Sequence, residues 1–306
     1  MINLIENETM YITGIKIHTL QTVDEVLELL AGLKNARIMA GGTDILVDLK
    51  QGLTEASDLI SLRNIQELRG IEKRGKTIRI GAFTTPQEIH SSSLIRQHFP
   101  ALAEAARSMA SAQIRTLATI GGNIASAVPS ADLPPSLIAA DATAELRCVK
   151  SAREIPLLEF FTGPRETVCR KEELLVSIRI PLPPPDTGIA YRKFTLREAN
   201  ALAVASVASR LTLKNKRMEK VSVVLGAVAP TPVLAQKTAG FLQGKTPSQE
   251  IFGEAAALAV EESKPISDIR GSAWLRKELI EVLTRRSLSE SLERALGKTG
   301  EKKNSP

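Results

Sequence analysis

Cysteine, histidine and aromatic residues are all scarce in this chain, and each shortage excludes something. Its 306 residues include two cysteines, three histidines and 3% aromatics. Cys148 and Cys169 are too few for a disulfide framework, for a four-cysteine zinc site or for an iron–sulfur cluster carried by this chain alone. Both read as ordinary thiols. His18, His90 and His98 are scattered without a metal-ligand spacing, so no metal is expected. Nowhere do about 18 apolar residues run together, which excludes a membrane-spanning helix. The opening stretch Met1–Glu8 has neither a basic n-region nor a long apolar core, and the expected location is the cytoplasm.

The charge balance is basic, with 40 Lys and Arg against 34 Asp and Glu and a formal charge of +6. The positive residues are spread among acids and the few aromatics form no stacking motif, so nucleic acid is not an expected partner. With 43% apolar residues the chain can bury a real core, which rules out disorder for most of its length. At about 100 to 200 residues per domain, two domains or one large one are allowed.

Thr22-Val23-Asp24-Glu25 fits a capping box, and Val23, Val26, Leu27, Leu30 and Leu33 then repeat at helical spacing until Gly32 and Asn35. A short strand, Arg37 to Ala40, runs into Gly41-Gly42, and Leu59-Ile60-Ser61-Leu62 reads as a buried strand. Thr85-Pro86-Gln87-Glu88 starts a helix, with an N-cap threonine, proline where its missing N–H does no harm and a capping-box glutamate. The same device is read at Thr246-Pro247-Ser248-Gln249. Prolines at 181 and 183–185 are the clearest break in composition. They divide the chain into residues 1–182 and 189–297, with a polar, disordered tail at 298–306. Beyond the break, Leu202 to Leu213 and Glu219 to Ala229 suggest an antiparallel hairpin, followed by two or three helices.

Gly70-Ile71-Glu72-Lys73-Arg74-Gly75-Lys76-Thr77 matches the P-loop pattern letter for letter. Context rejects it. A P-loop needs a helix after its last residue, whereas Ile78-Arg79-Ile80 alternates like a strand, so the stretch reads as a hairpin turning at Arg74-Gly75-Lys76.

Apolar residues followed by a glycine pair occur twice, at Ile38-Met39-Ala40-Gly41-Gly42-Thr43-Asp44-Ile45 and at Ala118-Thr119-Ile120-Gly121-Gly122-Asn123-Ile124. Each reads as a turn in which consecutive backbone N–H groups could curl around an anion, with Thr43, Thr119 and Asn123 adding side-chain hydrogen bonds. Two such turns could grip one pyrophosphate, and two ordinary tight turns would look the same.

With these flanks, and with Gly81-Ala82-Phe83-Thr84, Pro129-Ser130-Ala131-Asp132-Leu133-Pro134-Pro135, Phe160-Phe161-Thr162-Gly163-Pro164-Arg165, Gly226-Ala227-Val228-Ala229-Pro230-Thr231-Pro232 and Ser267-Asp268-Ile269-Arg270-Gly271-Ser272, the chain resembles the flavin subunit of molybdenum hydroxylases. This is the xanthine dehydrogenase and carbon monoxide dehydrogenase family. The resemblance implies an α+β fold: an FAD-binding domain of the vanillyl-alcohol-oxidase (PCMH) type, made of two α+β lobes, then a C-terminal domain with a three-stranded antiparallel sheet and helices. No G-x-G-x-x-G is present, consistent with phosphate held by two loops and not by one helix start.

Carried across by the same resemblance, Ile38 to Ile45 and Ala118, Thr119, Ile120, Gly121, Gly122 and Asn123 would hold the pyrophosphate and ribityl chain of FAD, mostly through backbone N–H groups. Asp132 would lie near the adenosine, or be a turn-forming aspartate. Leu175 would line the flavin ring, and a core leucine is compatible with that. Lys193 would stand near the isoalloxazine, where a cation favours the anionic reduced ring, or be an exposed lysine. Met109 and Ala110 would pack against the cofactor, although the family often has an aromatic at the position of Met109, and Tyr191 could stack on the ring instead.

The function implied is electron transfer by an oxidoreductase subunit. A small partner subunit would carry two 2Fe-2S clusters and a large one molybdenum and a pterin. FAD would pass electrons to NAD or another acceptor, and a dimer of heterotrimers is expected. No catalytic side chain is expected here. The absence of cluster-binding cysteines fits that division of labour, and Gly41-Gly42-Thr43-Asp44 favours a xanthine-dehydrogenase-like branch. A non-catalytic FAD-domain paralogue serving assembly or regulation is the alternative, and a stand-alone flavin oxidase a third.

Overall fold

A computed structural model describes residues 12, 14–198 and 200–297; the expected tail at 298–306 and the opening residues lie outside it. The described residues form three main sheets that share their cores in series, and a small two-stranded one, Phe161–Gly163 with Glu166–Thr167. The first is parallel, ordered Lys16–Thr19, Asp58–Ser61, Ala36–Met39. The helix Val23–Gly32 crosses between its strands, with both halves of the capping box at Thr22 and Glu25 formed. Its apolar stripe, Val23, Val26, Leu27 and Leu30, packs on Ile60, Leu62 and Ile65.

The second sheet is antiparallel, ordered Ile71–Arg74, Thr77–Gly81, Leu174–Pro181, Thr143–Cys148, Ser151–Pro156. The P-loop look-alike is the hairpin between its first two strands, with Gly75 at φ 59° in the turn. Six helices between Pro86 and Ala139 cover this sheet. The first of them, Pro86–Ser91, has the capping box at Thr85 and Glu88.

The third sheet is antiparallel, ordered Thr187–Phe194, Ala205–Lys214, Arg217–Gly226, Val233–Leu234. Three long strands are thus joined by a two-residue fourth. The hairpin turns on Asn215 and Lys216, at φ 50° and 61°, the two left-handed positions that a tight hairpin turn demands. Helices Gln236–Leu242, Gln249–Glu262 and Ala273–Ala295 complete this part. The helix read at Thr246-Pro247 starts two residues later, because the Ser248 hydroxyl accepts from Ile251 N and makes serine the cap.

The strand Ala205–Lys214 is buried on both faces. Val207 and Leu211 face the C-terminal helices, while Ala208 joins Tyr191 and Ile189 in the core of the second lobe. The proline break therefore separates sequence segments without separating cores. Ser209 receives the long helix at Ser287 and Ser291, each 2.7 Å away. A Cβ on Gly188 would stand 1.9 Å from the Ser291 carbonyl oxygen, so glycine lets helix and strand close together.

Candidate cofactor site

The strand Ala36–Met39 ends at Ala40 and Gly41-Gly42 and runs into the short helix Ile45–Lys50. Gly42 sits at φ 77°, the left-handed region that favours glycine. The reason for Gly41 is different: a Cβ there would lie 1.9 Å from the Leu117 carbonyl oxygen and 3.0 Å from the Ala118 Cα. The first glycine pair is thus pressed onto the backbone that leads into the second. Two side-chain bonds hold this arrangement. The Ser126 hydroxyl donates to Asp44 at 2.7 Å, and Arg165 donates to Asp48 at 2.7 Å.

The backbone amides of Gly41, Gly42, Thr43 and Asp44 donate to no protein group among the described residues. The second motif departs from expectation, because it is a helix start and not a turn. Helix Ile120–Ala125 begins at the N-cap Thr119, whose hydroxyl accepts from Gly122 N. Ile120 N donates to Thr84 O at 2.9 Å, Gly121 N to Ala82 O at 2.8 Å and Asn123 N to Thr119 O at 2.9 Å. The amides of Ile120, Gly121, Gly122 and Asn123 are therefore already engaged, while that of Thr119 donates to no protein group among the described residues. What this motif offers is the space beside Gly122, where a Cβ would meet only the Thr119 hydroxyl at 3.1 Å. It also offers the Asn123 Oδ1, buried and without a partner among the described residues.

Leu175 is 6% exposed and packs in the main core. It stands at a register shift in its strand, and the next residue's carbonyl, Val176 O, accepts from Ala82 N at 3.0 Å. Ala82 in turn receives Gly121, so Leu175 lies one strand from the second motif.

Asp132, Tyr191 and Lys193 form one buried cluster. Tyr191 Oη donates to Asp132 Oδ1 at 3.1 Å, and Lys193 Nζ donates to the same oxygen at 2.9 Å and to Ser108 O at 2.6 Å. Burial pushes the Asp132 carboxyl up while Lys193 and Tyr191 pull it down. Burial, with Asp132 beside it, also holds the Tyr191 phenol well above its usual range. This geometry removes two alternatives, the exposed Lys193 and the stacking Tyr191, and separates one pair of expected roles. Lys193 is not an exposed lysine, since its side chain is 10% exposed. Asp132 and Lys193 touch, so they cannot serve opposite ends of an extended dinucleotide. Tyr191, 3% exposed with its ring in the core, has no face free for stacking.

Met109 and Ala110 follow the helix Pro100–Ser108 immediately, and Ala110 is left-handed at φ 42°. A cleft of 930 Å³ opens beside Lys193, walled by charged side chains such as Arg107, Arg192 and Arg286, and no residue of either glycine motif lines it.

Over residues 13–183 the chain matches the family model described as the FAD binding domain in molybdopterin dehydrogenase, and over residues 189–291 that of the CO dehydrogenase flavoprotein C-terminal domain. The chain belongs to this family. It is an FAD-binding subunit of the xanthine dehydrogenase and CO dehydrogenase type of molybdenum hydroxylase. It is 31% identical to the xanthine dehydrogenase FAD-binding subunit of Escherichia coli O157:H7, over 92% of this chain and 97% of that one. To the carbon monoxide dehydrogenase medium chain of Hydrogenophaga pseudoflava it is 33% identical, over 89% and 95%. The solved carbon monoxide dehydrogenase of that organism superposes with a TM-score of 0.90 at 32% identity, covering 93% of this chain and 99% of that one. The quinoline 2-oxidoreductase of Pseudomonas putida 86 gives 0.88 at 28%, covering 94% and 99%.

The residues present fit FAD. Four undonated amides on the first loop suit phosphate oxygens, and the buried Asn123 Oδ1 lacks the donor that a nucleotide could supply. The family motifs also explain themselves as joints. Gly226 packs on Pro135, Ala227 N donates to Pro129 O, and the buried Arg276 ties Ala227 O to Asp268. Sequence reasoning missed Ser126, Arg165 and Arg276, whose partners lie 49 residues or more away, the 8-residue Arg276–Asp268 contact apart.

Proposed function

We propose that this chain is the electron-transfer flavin subunit of a three-part complex, accepting electrons from 2Fe-2S clusters on a small partner subunit and passing them through FAD to NAD or another acceptor. A large partner subunit with molybdenum and a pterin would oxidise the substrate. The observation that carries the reading is the span of the likeness: it runs through both domains and covers 97% of the length of a xanthine dehydrogenase FAD-binding subunit. This chain has two cysteines, too few for the four ligands of a 2Fe-2S cluster. The clusters would therefore sit on another polypeptide. The domain division at 182 and 189 is part of the same reading, as is the xanthine-dehydrogenase-like branch. The latter leans on Thr43 after the first glycine pair, since identities of 31% and 33% do not separate the branches.

FAD supplies the redox chemistry, as hydride or as single electrons. The chain's own residues bind and orient it. The amides of Gly41 to Asp44 would donate to its phosphates, the space at Gly122 would admit it, and Leu175 and Met109 would keep water from the ring. Asp132 and Tyr191 turn their hydrogen bonds on each other and on Lys193, which leaves neither placed to move a proton.

Purification of the tagged chain from its own cells tests the proposal. The expected result is three polypeptides with FAD, iron and molybdenum, whose visible flavin band bleaches on anaerobic addition of NADH. Recovery of the chain without cluster or molybdenum partners would overturn the electron-transfer reading and favour the assembly or regulatory one.

A further inference from the structure

The carbonyl groups of Ser108, Met109 and Ala110 are three in a row, at the end of the helix Pro100–Ser108. The last carbonyls of a helix have no partner within it, so each needs one from elsewhere. Lys193 Nζ donates to Ser108 O at 2.6 Å, Arg115 Nη1 to Met109 O at 2.9 Å and Asn200 N to Ala110 O at 3.2 Å. Arg115 Nη1 also reaches Ala110 O at 3.5 Å. Two of these three donors come from beyond the proline break. Arg115 is the one supplied from within the FAD-binding part, from the helix Ala112–Leu117 that leads into the second glycine motif.

Ala110 holds φ 42°, and Asn200, whose N–H it receives, holds φ 49°. Left-handed backbone is unfavourable for any residue with a Cβ and persists only where the surroundings hold it. Here two such residues meet across one hydrogen bond. The Arg115 guanidinium is half-buried, and its Nε has no partner among the described residues, so no carboxylate explains its position. Its visible work is on the Met109 and Ala110 carbonyls.

We infer that Arg115 is a positioning residue for the cofactor wall: it holds the left-handed turn at Met109–Ala110 against FAD while its helix carries the backbone on which Gly41 packs. The inference rests on the FAD site described above. Arg115 links the wall of that site to its two glycine motifs through one short helix. It touches no reacting atom.

The test measures FAD affinity of the full chain by flavin fluorescence titration, with the melting temperature of the apoprotein beside it. For wild type, FAD binding comes first, for the chain alone and with its partner subunits co-expressed; if it fails in both, the FAD site itself is refuted, and not this inference. For Arg115→Ala, the dissociation constant is expected to rise about tenfold or more, equivalent to about 1.4 kcal/mol. Arg115→Lys should recover part of the loss, because a lysine can donate to one of the two carbonyls. Ala110→Gly should bind FAD like wild type, since glycine adopts positive φ without penalty. The decisive variant is Arg115→Ala combined with Ala110→Gly. If Arg115 acts by holding the turn, glycine at 110 restores much of the lost affinity. A double variant that binds no better than Arg115→Ala would overturn the inference, as would an Arg115→Ala protein that binds FAD like wild type.

Discussion

Substituting Gly41 by alanine should break the contact on which the site depends. The added Cβ would lie 1.9 Å from Leu117 O and 2.7 Å from Leu117 C, both backbone atoms. Ordinary contact begins near 3.4 Å, so the two segments must part by about 1.5 Å. Overpacking typically costs about 1 to 3 kcal/mol, and a backbone neighbour that cannot rotate away puts this case at the upper end. At about 2 to 4 °C per kcal/mol for a chain of this order of size, the melting temperature of the apoprotein should fall by roughly 6 to 12 °C. Gly122→Ala is the control in the opposite sense. Its Cβ meets only the Thr119 hydroxyl at 3.1 Å, and alanine gains up to about 1 kcal/mol of helix propensity over glycine. Apoprotein stability should stay within about 1 kcal/mol of wild type. FAD affinity should nonetheless fall, by roughly 5- to 150-fold if the intruding methyl costs about 1 to 3 kcal/mol. Differential scanning calorimetry of apoprotein and titration with FAD read the two effects separately. A Gly41→Ala protein as stable as wild type, or a Gly122→Ala protein with undiminished FAD affinity, would refute this reasoning.

Lys193→Ala should cost about 3 to 5 kcal/mol in urea unfolding, because it strands the buried Asp132 carboxylate; adding Asp132→Asn should recover much of that, and an additive double variant would contradict the pairing. Thiol labelling at neutral pH should modify Cys148 first, whose pKa is lowered by the Ser151 hydroxyl, and Cys169 only on unfolding; mass spectrometry showing equal rates would contradict it. Hydrogen bonds from Arg270, then Arg276, hold the Asp268 carboxyl well below the usual carboxylate range. A depressed folded pKa gives stability that is present above the unfolded value of about 3.9 and is lost as pH falls through the folded one. The stability gap between wild type and Asp268→Asn should therefore be full at neutral pH and shrink below about pH 4, and a gap constant to pH 3 would refute it.

The local signals in the sequence carried well. Capping boxes at Thr22 and Thr85 and the alternation that undid the P-loop match describe short stretches of chain whose physics is local. The second glycine pair was misread as a turn for a definite reason. Glycine is a poor helix former, by about 1 kcal/mol against alanine, yet the helix Ile120–Ala125 forms because Thr119 caps it and Gly121 lets it close on Ala82. That approach is tertiary, and no pattern around residue 121 announces it. Lys193 is the same lesson in charge. Its burial depends on Asp132, 61 residues away, and on the Ser108 carbonyl, 85 away. A lysine on a strand looks solvated until its partners are folded against it.

Stoichiometric binding of FAD by the full chain tests the central claim most directly. We expect the purified protein to show a flavin spectrum, to release FAD on denaturation in a one-to-one ratio, and to lose the spectrum when Gly42 and Gly122 are both replaced by bulky residues. A well-folded protein that stays colourless and takes up no FAD, alone or with its partner subunits co-expressed, would contradict the account.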